Sequence, residues 1–304
     1  LALNLGIDQD SFIRIRSGVL FTLNQVSNDG HVYATRGQLV RKAISLLDVD
    51  EVKLRATVDE MLKTEEIVKD GEDAIFLPQL RYCEVGIASN LARLLTTPKK
   101  LKADVSKIEK KLGITYDPLQ ADAIMKAMES QVMVLTGGPG TGKTTVTRGI
   151  IEAFLQNHLE VALAAPTGRA AKRMQEATEM EAKTIHRLLE FRPDVGFVHD
   201  RDDPLDAQAV IVDESSMIDT YLMNAMLRAL KTGTRLILIG DIDQLPSVGA
   251  GNVLRDIIDS ETVPTVRLTK IFRQALTSKI IENCHLVNEG HMPDIKVKKE
   301  ADFF

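Results

Sequence analysis

The chain has 304 residues, of which 44% are hydrophobic and 27% charged, with a formal net charge of −5. These values belong to a soluble globular protein long enough for two domains, and they exclude a disordered or fibrous chain. No run of about eighteen apolar residues occurs and residues 1 to 10 lack the basic-then-apolar pattern of a secretory signal, so a cytoplasmic protein with no membrane partner is expected.

The acidic balance argues only weakly against a nucleic-acid partner. A local basic track is compatible with an acidic whole, and a protein that moves along a strand cannot grip it too tightly. Cys83 and Cys284 are expected to be buried free thiols rather than a disulfide or metal site. Leu1 in place of a starting Met, and the apolar end Asp302-Phe303-Phe304, suggest a piece of a longer chain.

Residues 1 to about 30 read as short helical pieces. Asp8 or Ser11 can cap a helix through Phe12, Ile15, Val19, Leu20 and Leu23, and Asn28-Asp29-Gly30 ends it as a turn. Apolar positions recur at helical spacing over 38–47 and again over 49–62. Residues 66–77 alternate about Asp70-Gly71, which predicts a hairpin closed by Pro78. Helix, helix, hairpin is the order of a winged-helix unit, here over about residues 31–95, and such units often bind nucleic acid. The second helix mixes Asp50, Glu51, Asp59 and Glu60 with Lys53, Arg55 and Lys63, so DNA reading and docking of a protein partner both stay open.

A helix over 84–95 leads to the basic run 96–102, read as a solvated linker. A helical amino-terminal domain, 1–103, is therefore expected to precede a second domain, 104–304. In the latter a short helix, 105–112, and a helix over 121–129 deliver the chain to a strand at 132–135. Further strands at 161–165, 209–212, 235–239 and 265–268 alternate with helices that include 168–179, 185–191 and 221–230. That alternation predicts an α/β fold with a parallel sheet covered on both faces, whose ligands bind at the carboxyl ends of the strands.

The first such end carries Gly137-Gly138-Pro139-Gly140-Thr141-Gly142-Lys143-Thr144, with Thr145 opening the next helix. Strand, glycine turn and helix start together aim backbone N–H groups at one point, and glycines admit oxygens that a Cβ would exclude. A nucleoside triphosphate is the ligand this loop predicts, with Lys143 on the β- and γ-phosphates and the Thr144 hydroxyl on Mg²⁺. About seventy residues beyond Lys143, Asp213-Glu214-Ser215-Ser216 follows a strand. Asp213 fits a carboxylate that holds Mg²⁺, partly through water, and Glu214 one that deprotonates the attacking water. Gly240-Asp241-Ile242-Asp243-Gln244 ends a third strand; Gln244 is a candidate to bond both γ-phosphate and water, and Asp243 a turn cap. Arg273, after the last strand, is either an ion-paired structural residue or a group that stabilises charge on the transferring phosphoryl.

Together these blocks resemble the RecD/TraA-type helicases of superfamily 1, the branch that moves 5′ to 3′ on single-stranded DNA. The resemblance runs through 134–145, Ala164-Ala165-Pro166-Thr167-Gly168-Arg169-Ala170-Ala171, Thr184-Ile185-His186-Arg187, 212–217, 240–252, 268–274 and Asn288-Glu289-Gly290-His291-Met292-Pro293. It is close from about Thr115 onward and looser over the first hundred residues, which look like the amino-terminal region of the longer bacterial RecD-like proteins. It implies a RecA-like P-loop NTPase core that binds ATP through Gln120, Gly138, Pro139, Gly140, Thr141, Gly142, Lys143, Thr144 and Thr145. Gln120 would read adenine and Arg273 would be an arginine finger. Thr167, Arg169, His186 and Asn252 would touch DNA, with Lys172 and Arg187 adding charge; on spacing alone His186 is a helix-face residue.

One departure from the family concerns the second RecA-like domain, which nothing after Pro293 supplies, Asp302-Phe303-Phe304 looking like its first strand. The expectation is a polypeptide that binds ATP and Mg²⁺ but hydrolyses slowly and does not unwind DNA. Two other readings stand beside the helicase: an ATP-driven switch that binds a protein partner without translocating, and a DNA-binding module in which the core is scaffold.

Overall fold

The computed structural model describes residues 6–95, 100–272 and 279–294. Arg273, Gln274 and Asp302-Phe303-Phe304 lie outside the described residues. Two compact units emerge: one runs to Ser89 and takes in Asp219–Asn224 and Ser247–Asn252, and the other holds the remainder. No helix among the described residues is long and apolar enough to cross a membrane.

In the first unit the helix α1 (Phe12–Asn28) starts at Ser11, whose side chain accepts from the Arg14 N–H. A Thr35/Gln38 capping box opens α2 (Arg36–Leu47), and Asp50 caps α3 (Glu51–Lys63). Three short strands, β1 (Tyr33–Thr35), β2 (Val68–Asp70) and β3 (Ala74–Phe76), pair antiparallel in the order β1-β3-β2. The expected hairpin is β2–β3; β1, with one buried residue in three, is too short for its alternation to register in the sequence. Ile15, Val19, Leu39, Leu54, Val58, Met61 and Ile75 close the core of this winged-helix-like unit. Of the returning segments, Gly251 donates its N–H to the Gly30 carbonyl at 2.9 Å, and the Thr220 N–H bonds the Ala250 carbonyl at 3.0 Å.

The helix α4 (Pro78–Leu95) begins at the proline read from sequence as the end of the hairpin, six residues before the expected start. Proline suits a first helical turn, where its missing N–H would have had no intrahelical partner. Cys83 is buried on this helix as expected, whereas Cys284 is exposed and lines an open hollow; neither forms a disulfide.

The second unit continues with α5 (Val105–Leu112), α6 (Pro118–Glu129), β4 (Val132–Gly137), α7 (Lys143–Gln156), β5 (Val161–Ala165) and α8 (Gly168–Thr178). Then come β6 (Ala182–Thr184), α9 (Ile185–Leu188), β7 (Phe191–Arg192), β8 (Gly196–Phe197), β9 (Ala209–Val212) and α10 (Thr220–Arg228). The chain ends its described part with β10 (Arg235–Gly240), α11 (Val253–Asp259), β11 (Thr265–Leu268) and α12 (Lys279–Asn288). Six of these strands form a parallel sheet in the order β11-β4-β10-β9-β5-β6. All of β4, β9 and β10 is buried, which is why they read as unbroken apolar runs. Leu135, Ile150, Phe154, Ile211, Ile237 and Ile239 lie in one apolar core between sheet and helices. The result is a RecA-like P-loop core behind a mostly helical amino-terminal region.

Two further departures lie in the second unit. The edge strand β6 was missed, since its three residues are nowhere fully buried. The helix expected over 185–191 stops at Leu188, because Glu190 takes a left-handed φ of 50° and the chain turns into the β7–β8 hairpin.

Candidate functional site

The phosphate loop leaves β4 at Gly137 and enters α7 at Lys143, so the first N–H groups of a 14-residue helix face the loop's hollow. Gly142, at φ +86°, is the N-cap of α7 and has no side chain to satisfy those donors. A Cβ there would come within 2.4 Å of the Gln120 Nε2. Thr141 donates its hydroxyl to the Gly138 carbonyl at 2.8 Å, and Lys143 donates to the carbonyls of Gly137 and Gly138, the latter at 3.2 Å. The lysine thus folds over the loop it would share with phosphates.

A cleft of about 660 Å³ adjoins the loop, lined also by Ile114, Thr115, Gln120 and Phe272. Gln120 is buried, and a capping box fixes its orientation: its Oε1 accepts from the Asp117 N–H at 3.2 Å while its Nε2 donates to the Thr141 carbonyl at 3.4 Å. One N–H and one lone pair of the amide remain for a base edge. Lys270 bonds the Asp117 carboxylate, holding it below the usual range, and its ammonium lies 5.5 Å from the centre of the Phe272 ring. The Phe272 N–H donates to the Gly140 carbonyl at 3.2 Å, tying β11's exit to the loop. Ile114 and Thr115 were not singled out from sequence, and Phe272 was noted only as part of 268–274 with no role of its own; nothing in their spacing marks them as cleft residues.

A smaller hollow, about 230 Å³, is lined by Lys143, Thr144, Arg173, Asp213 and Glu214 among others. Burial pushes the Asp213 carboxyl up, with the neighbouring Glu214 charge adding to it, against the pull of the Glu214 N–H, Lys143 and Arg173. Its Oδ1 accepts that N–H at 2.9 Å. Hard oxygen donors, the Thr144 hydroxyl and the Asp213 carboxylate, suit Mg²⁺. Among the described residues no group of three or more His, Cys, Asp or Glu could hold a metal ion, so a cation here would need phosphate oxygens to complete its shell.

Glu214 sits at a left-handed φ of 52° and its Oε1 accepts from Arg173 Nη2 at 2.8 Å. Sequence reasoning missed Arg173, although its spacing of four from Arg169 on α8 was a signal of a shared helix face. Beyond β10, Asp241 is buried and caps the turn: its carboxylate accepts from the Asp243 N–H at 3.1 Å and from Gln244 Nε2 at 3.3 Å. The cap expected of Asp243 therefore belongs to Asp241, while the Asp243 carboxylate faces Arg267 at 3.4 Å. A carboxylate two residues before an N–H, at the strand tip, has the reach for that bond; one inside the turn does not. Exposed Gln244 shares a hollow of about 540 Å³ with Pro139 of the phosphate loop.

Thr167 is the N-cap of α8 and accepts from the Ala170 N–H, with Arg169 exposed in the first turn. His186, exposed on α9, lies 5.6 Å from the Phe191 ring and 5.5 Å from that of Phe197. Since β5 and β6 are paired, Thr167, Arg169 and His186 follow neighbouring strand tips. Asn252 lies on Ser247–Asn252, in the first unit.

A family model described as an AAA domain matches residues 120–250. The ATP-dependent RecD2 DNA helicase of Deinococcus radiodurans is 35% identical over 280 residues, which cover 91% of this chain and 39% of that protein. RecBCD enzyme subunit RecD of Mycolicibacterium smegmatis is 36% identical over 212 residues, 62% of this chain and 37% of the relative. The same subunit of Mycobacterium tuberculosis is 38% identical over 204 residues, 59% and 35% of the two chains. The chain thus spans well under half the length of the curated relatives it matches.

Proposed function

We propose that this chain, RecD-like in sequence and RecA-like in fold, is the ATPase-bearing part of a cytoplasmic ATP-dependent helicase that moves 5′ to 3′ on single-stranded DNA. Residues 104–304 form its first RecA-like domain and residues 1–103 a helical amino-terminal domain. One observation carries this reading: the order of strands along one sheet edge. The tips of β11, β4, β10 and β9 bring Phe272, the phosphate loop, Gln244 and the Asp213-Glu214 pair side by side, and the next tips, β5 and β6, bring Thr167, Arg169 and His186.

ATP would supply the phosphoryl group, and Mg²⁺, when bound, would neutralise part of its charge. Gln120 would read adenine, the N–H groups of Gly138 and of residues 140–145 would hold the phosphates with Lys143, and Thr144 with Asp213 would hold the cation. Glu214 takes the proton of the attacking water, Gln244 bonds water and γ-phosphate, and Arg273 stabilises charge on the transferring group. Thr167, Arg169, His186 and Asn252 hold the strand. Phosphate contacts of this kind grip DNA without reading its sequence.

Titration of this chain with a fluorescent ATP analogue, together with ATP turnover with and without oligodeoxythymidylate and strand displacement from 5′- and 3′-tailed duplexes by a longer protein that joins this chain to a second RecA-like domain, tests the reading. Binding lost in Lys143→Ala, turnover raised by the strand and displacement confined to 5′ tails are expected. Turnover indifferent to the strand would favour an ATP-driven switch for a protein partner, and displacement from 3′ tails would reverse the polarity.

A further inference from the structure

Water activation at this site depends on which way the Glu214 carboxylate points. Its backbone is pinned in a left-handed conformation at the head of the turn Ser215–Met217, so direction is left to its side-chain torsions and to its partner. That partner is Arg173. The ion pair is one-sided: the Arg173 side chain is 64% exposed and the Glu214 side chain 20%, so the guanidinium reaches from the surface into the hollow that also contains Lys143, Thr144 and Asp213. Oε1 of the carboxylate thereby accepts at 2.8 Å, and a guanidinium on that oxygen competes with a water proton for its lone pairs.

The arginine's own position gives the pair a second end. Arg173 lies one turn beyond Arg169 on α8, whose N-cap is Thr167. The other side of this helix is buried through Ala170, Ala171 and Met174. A polyanionic strand gripping the first turn of α8 therefore acts on the same rigid element that holds the base, and any shift of α8 that the strand favours changes the Arg173–Glu214 distance.

We propose that Arg173 is a positioning residue that draws Glu214 toward α8 until a single strand of nucleic acid engages the helix's N-terminal turn, so that hydrolysis waits on strand binding. The inference rests on the reading of Glu214 as the base of an ATPase. It explains why a charged side chain outside every recognised motif faces the acid pair.

The test compares the full chain with its Arg173→Ala and Arg173→Lys variants, measuring kcat and KM for ATP with and without oligodeoxythymidylate. Arg173→Ala should raise strand-free kcat about two- to five-fold, the range an exposed ion pair can supply. Its KM should stay unchanged and its stimulation by the strand should fall by the same factor. Arg173→Lys, which keeps the charge without the planar fork, should restore part of the restraint. A fall in kcat with and without strand would mean that Arg173 orients the base for work, and unchanged kcat in both states would make the pair structural; either overturns the proposal. Raised KM with lost thermal stability would likewise overturn it. If the unmutated chain binds the fluorescent nucleotide and is stimulated by the strand while Arg173→Ala matches it, only this inference fails. If the unmutated chain does neither, the ATPase reading fails with it.

Discussion

Gly142 is where backbone conformation and the proposed base recognition by Gln120 meet, and Gly142→Ala separates them when set against Gly113→Ala. Both glycines are left-handed, at φ +86° and +66°, so an alanine at either costs about 1–2 kcal/mol of folding free energy. That is a factor of about 5–30 in the folded-to-unfolded ratio. A Cβ on Gly113 meets nothing within 4 Å, whereas one on Gly142 comes within 2.4 Å of Gln120 Nε2. The amide must swing away, breaking its 3.4 Å bond to the Thr141 carbonyl and turning its edge from the cleft. A lost hydrogen bond of this kind is worth about 1 kcal/mol, so adenine nucleotide should bind Gly142→Ala about fivefold more weakly beyond any effect common to other bases. Urea denaturation and titration with fluorescent ATP and GTP analogues read the two effects. A loss of stability is expected in both variants, larger by about 1 kcal/mol in Gly142→Ala, which also breaks the Gln120–Thr141 bond, with a fall in the ATP-to-GTP preference confined to Gly142→Ala. An unchanged preference in that variant would refute the assignment of Gln120 to the base.

Two further predictions concern charge. Asp213 has its carboxyl pushed up by burial, so at neutral pH the folded chain carries the cost of a buried ionised group. Asp213→Asn should therefore raise the melting temperature of the nucleotide-free chain at neutral pH, the gain shrinking as pH falls through the raised value and Asp213 itself takes a proton; Mg²⁺-dependent nucleotide binding should fall at the same time. Tyr116 is pushed by burial from 10.0 up to about 12, and its hydroxyl donates to the Thr145 carbonyl at 3.4 Å. Its raised folded value means stability that is present below pH 10 and lost as pH rises toward 12, a loss that denaturation of Tyr116→Phe should not show over that window.

Much of this architecture was legible in the sequence because local chemistry sets it. Residues 132–135, 161–165 and 209–212, and 236–239 after Arg235, read as strands since each is an apolar run, while 265–268 alternates with Val266 and Leu268 buried, and the structure has strands over each of them. The strand-loop-helix passage from Val132 to Gln156 follows from glycine freedom and helix geometry within a few residues. Where the signal was thin, expectation failed: β1 and β6 have three residues each, and Asp241 rather than Asp243 caps its turn because reach, not residue type, decides the bond.

What tertiary structure alone decided is the order of the tips. In the chain the motif-bearing strands run β4, β5, β6, β9, β10, β11; in the sheet they run β11-β4-β10-β9-β5-β6. Strand pairing sets that rearrangement through contacts between distant residues, such as Val134 with Thr265 and Leu238, and no local pattern encodes it. It carries the phosphate loop, the Asp213-Glu214 pair and Gln244 to one stretch of strand tips and Thr167, Arg169 and His186 to the next, whereas Asn252 lies in the first unit. The same packing sets Arg173 against Glu214, forty-one positions later in the chain, a pairing that neither residue's neighbours foretell.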